Sequence, residues 1–380
     1  MGPIAPGQSA MELLTEPASA WVGNSITNGS LAFSIADWCN FFSFGRLNHD
    51  AGYNYGVSGN KTTDVIARLG TIQAANAAFL ELLIGTNDIG TGGRLASDVI
   101  PDYATIVNTM LGWSATKRIA VCTILSRSGA NAINASQETQ RQLLNTFIRS
   151  LPASDPRIVL VDYDASSGWD PTIHSIDGLH PNNYGAFLLG KFNASQISGI
   201  LNPIDVLANY TMNNLHPNPT LAGTSGGLTG ATGQVATSCQ VRNFTTGITA
   251  TASKGTLAGF TSEDMALNGT STANGSCSLR GVTTVSTVVS ETYMAMAHVK
   301  IAAGGNLSSL TMSFSANNMF GTGTIALPLN QDIEGVLRTG PVPIVTTQTN
   351  AAFDISASSQ TGAINNQLFQ VARPVIRKLS

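Results

Sequence analysis

The chain has 380 residues, more than a single hydrophobic core usually serves, so two domains are the starting expectation. Hydrophobic residues at 43% exclude wholesale disorder, and charged residues at only 11% leave Ser, Thr, Asn, Gln and Gly to cover the surface. A formal charge of −3 gives no electrostatic reason to expect nucleic acid or an anionic membrane as partner, and no apolar run approaches the roughly 18 residues that cross a bilayer.

Residues 1–17 read as an N-terminal segment. Met1 to Ala10 has neither the basic nor the apolar stretch of a secretory signal, which leaves open a cytosolic product, a signal already removed or a piece of a longer protein. From residue 18 the pattern alternates. Ser19–Gly23, a stretch within Asp50–Ser58, Phe79–Gly85, Arg118–Leu125 and Arg157–Val161 are short apolar runs, as expected of strands buried on both faces of a parallel sheet. Helical spacing marks Thr63–Leu69, Tyr103–Leu111 and Gln137–Leu151, the last ended by Pro152. This alternation predicts an α/β domain over 18–210: a three-layer α/β/α sandwich around a parallel sheet.

The composition then changes. Residues 211–380 are dominated by Thr, Ser, Gly, Ala and Asn, and long helical patterns disappear. They hold 8 basic and 6 acidic residues, a charge of +2, against 11 and 16, or −5, in the first 210. Strand signals recur at Thr292–Ile301, Leu307–Phe314 and Gln367–Val375, and Leu310-Thr311-Met312-Ser313-Phe314 alternates with period two. An all-β antiparallel sandwich, jelly-roll-like, is expected there, with 218–233 as a linker or its opening loops. Cys39 and Cys122 read as small buried hydrophobes, and whether Cys239 and Cys277 pair is open. No cysteine or histidine spacing suits a metal.

Four segments of the first half carry chemistry. Gly23-Asn24-Ser25-Ile26 follows a strand and can present a serine hydroxyl at the carboxyl edge of the sheet, although alone it also reads as a turn or helix cap. Gly56-Val57-Ser58-Gly59-Asn60 allows close approach of backbone N–H groups, or is a tight turn. Gly85-Thr86-Asn87-Asp88 closes an apolar strand with an amide that can donate to a developing oxyanion, or with an Asx turn. Asp177-Gly178-Leu179-His180-Pro181 sets a carboxylate three residues before an imidazole that it can orient.

In order and approximate spacing these four segments resemble the blocks of the SGNH hydrolases, the GDSL esterase/lipase family, over about residues 18–200. The resemblance implies a flavodoxin-like α/β/α fold and a serine esterase without metal or organic cofactor. It makes Ser25 the nucleophile, His180 the base and Asp177 its orienting carboxylate, with Ser25 N–H, Gly59 N–H and the Asn87 amide as oxyanion hole. One departure stands out. The family usually has Gly-Asp-Ser where this chain has Gly-Asn-Ser, so Asn24 loses a charge but keeps a side-chain acceptor, and a modest change in activity is expected.

Among the remaining features, Gly90-Thr91-Gly92-Gly93-Arg94 reads as a flexible rim loop whose arginine could meet a polar substrate. Trp169 is the tryptophan best placed to line a cleft, His174 reads as a loop residue, and Phe41, Phe42 and Phe44 read as core packing rather than a subsite. The sequons at Asn28 and Asn60 lie beside the motifs, where a glycan would obstruct them, which speaks against a eukaryotic secretory route. A weakly charged β-sandwich attached to an esterase resembles a carbohydrate-binding or tail-fibre-like module. The expected substrate is therefore an acetylated glycan, and the expected activity that of a carbohydrate O-acetylesterase of a bacterium or phage, extracellular or virion-associated. A short-chain esterase, an acyltransferase and a non-catalytic tail or adhesion protein are the alternatives.

Overall fold

The computed structural model describes residues 13–29, 33–49, 52–209, 214–283, 287–303, 307–316, 319–326, 331–345 and 351–380. Most of the expected N-terminal segment thus lies outside the described residues. The described residues form two compact units: those within 1–28, 46–180 and 191–204, and those within 29–45, 181–190 and 205–380. The second unit begins its long run near the composition change and also takes up two short stretches of the first half.

In the first unit, β1 (Ser19–Gly23), β2 (Asn54–Gly56), β3 (Phe79–Leu83), β4 (Arg118–Cys122) and β5 (Ile158–Val161) form one sheet in the order β2-β1-β3-β4-β5, with every pair parallel. All residues of β1, β3 and β4 are buried, which is why these strands read as unbroken apolar runs. Val65 of α3 (Thr62–Ala67), Ile106 and Met110 of α6 (Ala96–Leu111) and Leu144 and Ile148 of α7 (Ala135–Ser150) pack with Leu80, Leu82 and Val121 on one face. The opposite face carries Trp21, Phe79 and Glu81. Asn193, in α9 (Asn183–Ile197), donates to Glu81 Oε2 at 2.5 Å and to the Tyr163 hydroxyl at 2.6 Å. Burial pushes the Glu81 carboxyl up to about 8, against the opposing bonds from Asn193 and Cys122. The predicted three-layer α/β architecture is therefore observed. Its strand order reverses between β1 and β3, the crevice where open parallel sheets bind ligands beyond the carboxyl ends of their strands.

Among the described residues the second unit contains thirteen strands. One sheet runs β15 (Ile333–Arg338), β12 (Thr292–Ile301), β18 (Gly362–Lys378), β10 (Phe260–Ser271), β9 (Ile248–Leu257) and β7 (Thr232–Gly233), with β16 (Val342–Pro343) on β12. The other runs β14 (Met319–Ala326), β13 (Leu307–Ala316), β17 (Ala351–Ser359), β11 (Gly275–Thr283), β8 (Val235–Asn243) and β6 (Ser225–Thr229). Pairing is antiparallel except for β6 with β8 and β7 with β9. Tyr293 of β12 stacks on Phe314 of β13, ring centroids 5.7 Å apart, which joins the two sheets through their inner faces. Residues 218–233 are thus opening loops with two short strands. Register places Cys239 opposite Gly281 and Cys277 opposite Asn243, four positions or roughly 13 Å apart along the strands, so these two do not form a disulfide.

The aromatic stretch after Ser34 is a helix, α2 (Ile35–Phe42), with Asp37 completing a capping box on Ser34. Trp38 and Phe41 are buried, and Trp38 stacks on Phe42 and meets Phe187 edge-on. Core packing therefore holds for Phe41, whereas Phe44 is 40% exposed and carries φ +55°.

His216 sits in the interior of the second unit, edge-on to Phe353 at 5.2 Å, in space that exists because residue 281 is glycine: a Cβ there would lie 2.3 Å from His216 Nε2. Burial lowers its pKa to about 4, and Nδ1 accepts the Asn218 N–H at 3.2 Å. Between the ordinary histidine value near 6.5 and about 4, the unfolded chain takes up a proton that the folded one refuses. Stability is therefore complete above that window and falls as pH drops through it, by about 3 kcal/mol. Urea midpoints of the wild type should fall across this range, and those of His216→Gln distinctly less; equal slopes would contradict the assignment.

Candidate active site

The three expected catalytic side chains meet. Ser25 opens α1 (Ser25–Asn28) at the carboxyl end of β1, and its Oγ lies 2.8 Å from His180 Nε2. His180 Nδ1 lies 2.8 Å from Asp177 Oδ2. Burial works against ionisation of Asp177. The N–H of His180, the His180 ring and the N–H of Leu179 outweigh it and hold the carboxyl down at about 2. An ionised carboxylate can only accept, so Nδ1 carries the proton and donates it to Asp177. Nε2 then presents its lone pair, and the Ser25 hydroxyl donates to it.

Residues of no apparent motif fix the Asp177–His180 loop. Asn131 Nδ2 donates to Asp177 O at 3.0 Å, Ser128 N to Gly178 O at 2.9 Å, and Gly178 N to Ser175 Oγ at 2.6 Å. Gly178 has φ +87°, and a Cβ there would lie 2.0 Å from Ser128 O. Gly178→Ala must displace the loop, since a backbone carbonyl cannot yield as a side chain can. Misplacement on the scale of 1 Å costs about 10²-fold in rate, so kcat for p-nitrophenyl acetate should fall by about that factor. Unchanged turnover in this variant would show that the loop need not be held there.

The expected oxyanion donors belong to loops stitched to the same sheet edge. Val57 N donates to Gly23 O at 3.1 Å, and Arg68 Nη2 donates to the same oxygen at 3.1 Å. Arg68 Nε reaches Asn60 Oδ1 at 2.9 Å, so one half-buried guanidinium ties the end of β1 to the loop that contains Gly59. Gly59 has φ +81° and is exposed, and its N–H has no hydrogen-bond partner among the described residues. Asn87 is buried and donates one amide hydrogen to Asn60 O at 3.0 Å, which fixes the amide plane and leaves the other hydrogen for a ligand. Gly23 and Gly85 permit these approaches: a Cβ on the first would lie 2.1 Å from Thr27 Oγ1, and the second has φ +115°.

Two expectations change. The 90–94 segment is anchored rather than a free rim loop: Gly92 N and Arg94 N donate to Asn87 O and Asp88 O. Arg94 bridges Asp88 and Asp102, each at 2.7 Å, so its guanidinium is engaged within the protein. Asp88, fully buried, also accepts from Thr62 N and Oγ1. Asn24 behaves as expected of a side-chain acceptor, taking the Ile26 N–H at 2.9 Å, while its buried Nδ2 has no partner among the described residues. Trp169 is half-buried and donates from Nε1 to Ser126 O at 3.1 Å, and His174 accepts the Asp170 N–H on Nδ1 at 2.9 Å, as a loop-ordering residue does.

Known proteins resemble the first part of the chain. Residues 21–186 match the model of the GDSL-like Lipase/Acylhydrolase family. No curated protein matches the chain. Among solved structures, the chain is similar to an acetylxylan esterase from Geobacillus stearothermophilus, with 16% identity, TM-score 0.41 and coverage of 51% of this chain and 100% of that one. It is also similar to a carbohydrate esterase family 3 protein from Talaromyces cellulolyticus, with 20% identity, TM-score 0.40 and coverage of 48% and 97%. The parallel sheet, the order of the four segments and the family match together make residues 21–186 a domain of the GDSL-like lipase/acylhydrolase family.

Proposed function

We propose that the chain is a serine ester hydrolase that removes O-acetyl groups from a polysaccharide through an acyl-enzyme. The observation that carries the reading is the unbroken relay from Ser25 Oγ through His180 to Asp177, 2.8 Å at each step. Ser25 Oγ bonds to the ester carbonyl carbon as its proton passes to His180 Nε2, and the carbonyl electron pair moves onto oxygen. The N–H groups of Ser25 and Gly59 and the free Asn87 hydrogen receive that charge. Collapse expels the sugar oxygen, which takes the proton from Nε2. Water then repeats the sequence on the acyl-enzyme, giving its proton to Nε2 and releasing acetate and Ser25.

Two features support a polymeric substrate and water as acceptor. The His180 and Asp177 side chains are 34% and 41% exposed, so the relay lies in an open site that a side-group ester on a chain can reach and that water fills. The second unit is a weakly charged, hydroxyl-rich β-sandwich of the kind that lies against glycans. Acetate release from a panel of O-acetylated polysaccharides tests the reading. Release above that of a Ser25→Ala control is expected for at least one polymer. Activity confined to small aryl esters would remove the polysaccharide, and no release from any ester would remove the hydrolase.

A further inference from the structure

The outer face of the β14-to-β6 sheet carries a small charged cluster, Arg242, Arg280 and Asp354, among amide and hydroxyl side chains. Register sets Gln240, Arg280 and Asp354 side by side across β8, β11 and β17, and Arg242, Ser278 and Ser356 in the next row. The intervening residues Val241, Leu279 and Ile355 are buried in the sandwich, so these six share the opposite face, where Ser278 is itself covered and hydrogen-bonds Asp354. Arg242 forms an ion pair with Asp354, both side chains remaining 20% exposed. Arg280 shares that carboxylate instead of having its own, and among the described residues it makes no hydrogen bond. The Nε of each arginine is buried without a partner. Two guanidinium groups on one carboxylate leave one positive charge and unused planar donors. Beside them Phe244 is 57% exposed, with the Arg242 guanidinium carbon 5.6 Å from its ring centroid.

We propose that this face binds a polysaccharide chain bearing carboxylates. A uronate carboxylate completes the Arg280 fork, the Gln240 and Ser356 side chains meet ring hydroxyls, and Phe244 stacks on the C–H face of a neighbouring sugar. A nucleic acid needs many more cations than one unmatched charge, and an extended peptide pairs with a sheet edge rather than lying on its face. The inference deepens the glycan reading of the second unit and rests on it for the class of ligand; it does not involve Ser25.

The test is calorimetric titration of the full chain with polygalacturonate, neutral galactan and a DNA oligonucleotide. Wild type should bind polygalacturonate most tightly and lose affinity as salt is added. Arg280→Gln should weaken polygalacturonate binding by about tenfold or more, as expected for a charge-assisted bond, and leave galactan binding unchanged. Circular dichroism checks the fold of that variant. If it does not fold, Phe244→Ala, which alters an exposed side chain, should weaken both polysaccharides. Equal binding of polygalacturonate by wild type and the folded variant, no binding by wild type, or preference for DNA overturns the proposal. Binding is read apart from acetate release, so a protein that binds polygalacturonate yet releases no acetate contradicts the esterase reading alone.

Discussion

Ser25→Ala should lower ester turnover by about 10⁴–10⁶-fold and leave the melting temperature within a few degrees of wild type. The hydroxyl's hydrogen bond is to His180 Nε2, at a partly exposed position, and its removal leaves β1 and its hydrogen bonds to β2 and β3 untouched. His180→Ala should cost about as much, and the double variant little more, because the two groups act as one unit. Asp177→Asn should fall by about 10⁴-fold for a different reason. Its carboxamide can still accept the Leu179 and His180 N–H groups, but turning an NH₂ toward Nδ1 favours the tautomer with the proton on Nε2, where it blocks transfer from Ser25. Parallel p-nitrophenyl acetate assays and melting curves separate these outcomes from unfolding. Wild-type turnover by Ser25→Ala would take that residue out of the mechanism.

Asn87→Ala is expected to lower kcat by about 10²–10³-fold with a much smaller change in KM, because charge on the carbonyl oxygen develops only in the transition state. The Asn60 carbonyl that accepts from Asn87 would lose a donor, so some loosening of the 57–60 loop accompanies the loss. Asn87→Asp separates the two effects. It preserves size but replaces both donors by acceptors, and should be at least as damaging to kcat. If either variant raised KM and left kcat unchanged, Asn87 would bind the ground state rather than the developing oxyanion.

Much of this site is legible in the sequence because its chemistry sits in short segments at strand ends. Asp177 and His180 are three residues apart in one loop, and Ser25 and Asn87 each follow a run buried on both faces. The supporting residues are not legible. Arg68, Asn131 and Ser128 act through backbone atoms of distant segments, and nothing in their own neighbourhoods marks them. The same holds for α9, whose buried face includes Gly185, Gly190 and Asn193 and so shows little hydrophobic contrast, and whose Gly190 is there for close packing: a Cβ on it would lie 2.3 Å from Trp38 Cβ. In the second unit, strands such as β9 turn small residues inward, Ala250 and Ala252 between exposed Thr249 and Thr251, so period-two alternation is present with little hydrophobic contrast. The outward row of Arg280 and Asp354 appears only once the register is known.

The central claim is tested most directly by trapping the acyl-enzyme position. Treating the protein with diisopropyl fluorophosphate and mapping the adduct by mass spectrometry should give one modification, on Ser25, with matching loss of ester turnover. His180→Ala should label far more slowly. An inactivated protein modified elsewhere, or full activity with Ser25 quantitatively blocked, would contradict the account.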